Sequence, residues 1–167
     1  STLNIIVAQR LVRKLCEGRE KYFLTDSEIK NLAKYCDLAK ISAILKEEKL
    51  IKPKTSFKQI PFFRPKPVKD CPEGYKGRLG IYEILTVTET IKDLIVKQAT
   101  SDQIQAQAQK EGMMTMIEDG FIKASQGITS IEEVLRVIVE WRKSEIPRGP
   151  EVCLVYLEAK LLSLSKF

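Results

Sequence analysis

The chain has 167 residues, 44% of them hydrophobic and 30% charged; these are globular values and exclude a disordered polymer. A net charge of +6 comes with no histidine, which removes the usual general base and the commonest metal ligand. No apolar run approaches the roughly 20 residues of a membrane-crossing helix, and four scattered cysteines without a CxxC pair argue against a disulfide scaffold and suit a reducing compartment.

In chain order, Leu3 to Ala8 reads as a helix end. Gln9 to Leu15 then reads as a short half-buried strand, with Leu11 and Leu15 on one face and Arg10 and Lys14 on the other. Thr25 and Glu28 form a capping box, after which Ile29, Leu32, Ala33 and Cys36 recur at helical spacing. Cys36 on that stripe is read as an inert core thiol. Leu38, Ile41 and Leu45 predict a second short helix. Between Lys46 and Arg78 there are ten Lys/Arg against four Asp/Glu, which accounts for the whole net charge, and five of the seven prolines lie there too. This segment reads as an extended basic connector, solvated along its length and pinned to the core by Phe57, Phe62 and Phe63. A charge run of this kind also suits anionic lipid or nucleic acid, but a solvated face is the commoner meaning.

Residues 74–85, GYKGRLGIYEIL, carry the most information. Gly74, Gly77 and Gly80 recur every third residue and lead into an alternating strand over Arg78 to Leu85. Glu83 interrupts its apolar face, and a carboxylate there needs a partner, either Arg78 or a neighbouring subunit. The plainer reading is a tight turn before a strand. Four capped amphipathic helices follow, opening at Thr86/Glu89, Thr100/Gln103, the Met113–Ala124 stripe and Thr129/Glu132. Beyond Trp141 a linker through Pro147 and Pro150 precedes a leucine stripe at Leu154, Leu157, Leu161 and Leu164, which is either a partner-seeking helix or the product of a coding-frame change.

Three separated segments, TLNIIVAQRLVRKLC at 2–16, CPEGYKGRLGIYEIL at 71–85 and EGMMTMIEDGFIKASQGITSIEEVLRVI at 111–138, resemble the C-terminal part of the traffic ATPases of type II secretion and type IV pilus assembly. The resemblance implies an α/β fragment: residues 1–16 ending a RecA-like domain with its last helix and strand, and 17–69 a helical insertion and basic connector. It further implies that 70–140 form a short strand with a four-helix subdomain, and leaves 141–167 as a tail of uncertain status. It implies a cytoplasmic hexameric motor, peripheral to the inner membrane through a platform protein, using ATP and magnesium. The chain begins without Met inside a structured segment, which predicts a fragment.

The phosphate loop of such motors requires GxxxxGK[ST], and the sequence contains no Gly-Lys pair. The chain is therefore expected to bind no cofactor itself, and its contribution to be subunit packing and force transmission. Many assembly-type members carry a four-cysteine zinc site. Here Cys16 and Cys71 hold two of its positions, Arg19 stands at a third, and the fourth is lost in a shortened turn, so the resemblance argues against zinc unless Glu17, Asp70 or Glu73 substitutes. Arg10, Arg13, Lys76, Arg78 and Glu83 are the candidate subunit contacts. A standalone interaction module without motor activity is the alternative, and nucleic-acid binding ranks behind both.

Overall fold

A computed structural model describes residues 3–143 of the chain, with side chains to residue 138; the expectations for the linker and for the leucine stripe at 154–164 lie outside the described residues. The centre is a two-stranded antiparallel ribbon of β1 (Ile5–Leu15) and β4 (Tyr75–Thr86), paired from Ile5 opposite Thr86 to Leu15 opposite Tyr75. The expected helix end at Leu3–Ala8 is wrong. Ile5, Ile6 and Val7 are β-branched, their χ1 freedom is small in a helix, and they continue the strand instead.

A register irregularity between Arg13 and Leu15 corrects the facing of β1 as well. Leu11 is 51% exposed while Leu15 is buried, because the shift moves residues after Arg13 to the opposite face. The inner face before the shift holds Ile6, Ala8, Arg10 and Val12. The turn between the last two helices anchors the irregularity: Leu15 N–H donates to the Ile128 carbonyl at 2.9 Å, and Thr129 Oγ1 donates to the Arg13 carbonyl at 2.8 Å.

Between the ribbon strands the chain makes β2 (Glu20–Tyr22), α1 (Asp26–Leu32), α2 (Leu38–Glu47), a 3-10 turn at Phe57–Gln59 and β3 (Phe62–Arg64), which pairs antiparallel with β2. The Thr25–Glu28 box caps α1 as expected, and Asp37 caps α2 by accepting from Ala39 and Lys40 N–H. The connector is more deeply built in than its charge suggests. Ile60 and Phe62 are fully buried, and Phe62 meets Phe121 edge-on at 6.2 Å, whereas Phe57 and Phe63 are only half-buried.

After β4 come α3 (Glu89–Val96), α4 (Ser101–Lys110), α5 (Met116–Ser125) and α6 (Ile131–Lys143). Two of the expected caps shift. Thr88 rather than Thr86 caps α3, and Ser130 rather than Thr129 opens α6, its Oγ accepting from Glu133 N–H at 3.2 Å; Thr115 stands at the N-cap of α5. Thr86 is still in the strand, so the helix starts one residue pair later than the sequence pattern implied. Three apolar clusters result. The largest joins α1, α2 and β3 to α5 and the start of α6, through residues such as Ile41, Phe62, Phe121 and Ile131. A second joins Leu85 and Val87 to α3 and α4, and a small third sets Val12 and Ile81 against Met116 and Val137.

Candidate functional site

The candidate residues all fall on or beside the β1–β4 ribbon, but they do not form one cluster. Arg13 wraps from β1 to α6. Its Nε and Nη2 donate to Glu133 Oε2 at 3.0 and 2.9 Å, its guanidinium lies 4.2 Å from the centroid of the Tyr75 ring, and Nη1 stands 3.8 Å from Glu73. Arg136 pairs with the same carboxylate from one helical turn below. Glu133 has a side chain only 1% exposed. Burial alone would raise its pKa, but the hydrogen bonds from Arg136 and Arg13 prevail and hold it down at about 2. Tyr75 shares a 2.8 Å hydrogen bond with Ser130, completing a polar bracket between the two strands and α6.

Local sequence does not mark Glu133, Tyr75 and Ser130 as a group. The available signal was an acid at position 133 between Ile131 and Val134, on a stripe otherwise apolar. Arginines from distant segments supply the partners, and no local spacing reveals them.

Arg10 and Glu83 both sit on the helix side of the ribbon, where they line a common cavity. Glu83 is 5% exposed, and its Oε2 accepts from the Met116 N–H at 3.1 Å. The expected pairing with Arg78 is absent, because Arg78 lies opposite Arg13 in the register and is exposed. Lys76 is exposed likewise. The ribbon therefore divides its candidates: Arg10 and Glu83 within, Arg13 locked to α6, Lys76 and Arg78 outside.

Cys16 and Cys71 form a disulfide across 55 residues, which overturns the expectation drawn from cysteine spacing. The shift at the end of β1 brings Cys16 N–H to the Gly74 carbonyl at 3.0 Å, so the exit of β1 and the entry of β4 are held together. Gly74 is required there: its φ is +72°, and a Cβ would come within 2.6 Å of Pro65 Cβ. Among the described residues no group of three or more His, Cys, Asp or Glu is placed to hold a metal. Cys36 remains a thiol, half-buried, with its pKa pushed up to about 11 chiefly by burial, so little thiolate forms near neutral pH.

The outer face of the ribbon is apolar, and no element among the described residues packs over it. Ile5 and Val7 are each 55% exposed, Leu11 51%, Ile84 49% and Tyr82 39%. Gly80 is shaped by this face, since the Tyr82 ring lies over it where a Cβ would otherwise stand.

With this geometry in place, comparison with known proteins decides the family. A family model described as Type II/IV secretion system protein matches residues 1–136. The chain belongs to that family. It is 35% identical over 137 residues to the type IV pilus assembly ATPase PilB of Pseudomonas aeruginosa, covering 82% of this chain and 21% of that protein. It is 38% identical over 138 residues to the type II secretion system protein E of Xanthomonas campestris, again 82% of this chain and 21% of the relative. It is 33% identical over 141 residues to the type II secretion system ATPase E of Vibrio cholerae, covering 84% of this chain and 24% of the relative. The chain thus spans only a fifth to a quarter of the length of these secretion-family relatives. No helix among the described residues is long and apolar enough to cross a membrane.

Proposed function

We propose that the chain is the C-terminal part of a secretion or pilus-assembly ATPase subunit, contributing packing and force transmission within a hexameric ring and holding no nucleotide site of its own. The exposed outer face of the ribbon carries this reading. Five large apolar side chains on one face of a two-stranded ribbon form a patch that a free-standing protein seldom leaves open. In a longer subunit, residues 1–16 would end the nucleotide-binding domain and the ribbon would lie against the rest of it. ATP and magnesium would be held by that upstream part, consistent with the relatives' names and with the missing GxxxxGK[ST] here.

In this arrangement 17–69 is the insertion and connector, 70–140 the strand and helical subdomain, and 141–167 the tail. Lys76 and Arg78, exposed beside the ribbon, would meet an acidic surface of the next subunit, with Arg10, Arg13 and Glu83 bracing the strands behind them. The assembly would stand in the cytoplasm and reach the inner membrane through a platform protein. A self-contained interaction module is the competing reading, favoured by the closed cores around Phe62, Phe121 and Ile91.

The nucleotide sequence preceding the codon for Ser1 separates the two. An in-frame GxxxxGK[ST] and a histidine-containing segment upstream make this part of a motor subunit. A start codon close to Ser1 without such motifs sinks that reading and leaves the interaction module.

A further inference from the structure

The cavity on the helix side of the ribbon has about 320 Å³ and lies between β1, β4 and helices α2, α4, α5 and α6. Its polar lining is unevenly satisfied. Lys40 and Glu118 pair at 2.8 Å, and the second Glu118 oxygen accepts from Thr115 N–H at 2.8 Å. Glu83 is different. One carboxylate oxygen takes the Met116 N–H, while Oε1 is buried without a hydrogen-bond partner, and so is the nearby Thr115 hydroxyl. A carboxylate removed from water with one oxygen unanswered is costly, and a charged donor offsets that cost better than a neutral one.

The charges agree with this. Among the described residues Asp37, Glu83 and Glu118 line the cavity against Arg10 and Lys40, so acids outnumber bases by one. Tyr35, 41% exposed, stands at the lining and supplies an aromatic ring of the kind a cation can stack on. The volume lies at the lower end of what small-molecule sites enclose. We infer that this cavity binds a cationic donor group, a guanidinium or an alkylammonium, which Glu83 Oε1 accepts from and Tyr35 covers. Such a group belongs either to an arginine or lysine side chain of another protein surface or to a free small amine. The assignment rests on Glu83, Thr115 and Tyr35, and it stands whether or not the chain is part of a motor.

The test is amide-resolved NMR of the full chain, titrated with N-acetyl-arginine amide, with its neutral isostere N-acetyl-citrulline amide, and with sodium chloride at matched ionic strength. The arginine probe should shift the amides of Tyr82–Ile84 and Thr115–Glu118, and the neutral probe should not. Glu83→Gln should weaken the arginine probe by about tenfold or more, as loss of a charge-assisted bond implies. Tyr35→Ala, at the exposed rim, should weaken it less while leaving the spectrum folded, so the inference can be judged even if Glu83→Gln disturbs the ribbon. Tighter binding of an arginine-containing peptide than of the blocked residue would mark a protein source, and tighter binding of spermidine a free amine. Equal shifts with citrulline, or no shift with either probe, would overturn the proposal and leave a cavity that holds water only.

Discussion

The two faces of the ribbon carry similar residues in opposite circumstances. Val12 and Ile81 on the inner face are fully buried against Met116 and Val137, whereas Val7 and Ile84 on the outer face are 55% and 49% exposed. Alternation along a strand gives each face its own set of side chains, but it does not say which set the same chain will cover. The helices following β4 return to one side only. The difference teaches that apolar composition marks both the core and the surface a larger assembly would need.

Substitutions on the two faces test that comparison directly. Ile81→Ala should cost about 2–5 kcal/mol in chemical denaturation, since it empties a closed site. A loss under about 1 kcal/mol would mean that the third cluster is loosely packed and that the two faces are less unlike than described.

The disulfide comes next. In the chain-entropy view, a link across 55 residues is worth up to about 4 kcal/mol. Reduction, or paired Cys16→Ser and Cys71→Ser changes, should therefore lower the urea midpoint, with strained geometry or residual structure only reducing the loss. An unchanged midpoint would show that Leu15, Ile128 and the Arg13 bracket hold the ribbon end unaided.

The bracket predicts a pH dependence. Glu133 is held at about 2 by Arg136 and Arg13, below the roughly 4.3 of a free glutamate. Its contribution is fully present above the unfolded value and is lost as pH falls toward 2. With both arginines partly exposed, the loss should be about 1–3 kcal/mol. Denaturation midpoints taken from pH 6 down to pH 2.5 should fall, and Glu133→Gln should start lower and flatten the profile. An equal slope in the variant would assign the acid sensitivity to other carboxylates.

The smallest effect belongs to the outer face. Ile84→Thr should change the stability of the chain by no more than about 0.5 kcal/mol, yet reduce self-association in sedimentation velocity. A large loss of stability would mean that this face is already covered within the chain.

Much of the architecture could be read from residue patterns. The Thr25–Glu28 and Thr100–Gln103 boxes mark their helices, and the Leu38, Ile41, Leu45 stripe marks α2, because capping and helical periodicity are local. The errors lie where distant residues decide. Leu3–Ala8 became strand because β4 pairs along its length, and the bulge that reverses Leu15 is fixed by hydrogen bonds to the Ile128 carbonyl and from the Thr129 hydroxyl. Cys16 and Cys71 could not be paired by spacing, nor could the partners of Glu133 be named. The unequal fate of the candidate cations has the same cause. Register placed Arg78 outside, and a helix more than a hundred residues away claimed Arg13.

One detail of β4 bears on how the ribbon can grow. On the margin turned away from β1, the Tyr82 N–H donates to Asp119 at 2.8 Å and the Gly80 carbonyl accepts from Lys123 at 2.9 Å. The two side chains pair with each other at 2.5 Å, so α5 occupies the donor and acceptor that an incoming strand would use. A charged pair seated on an open margin is a known guard against unwanted strand addition and fibril seeding. The sheet is thereby closed on one flank, and extension by a further strand is steered to the flank of β1.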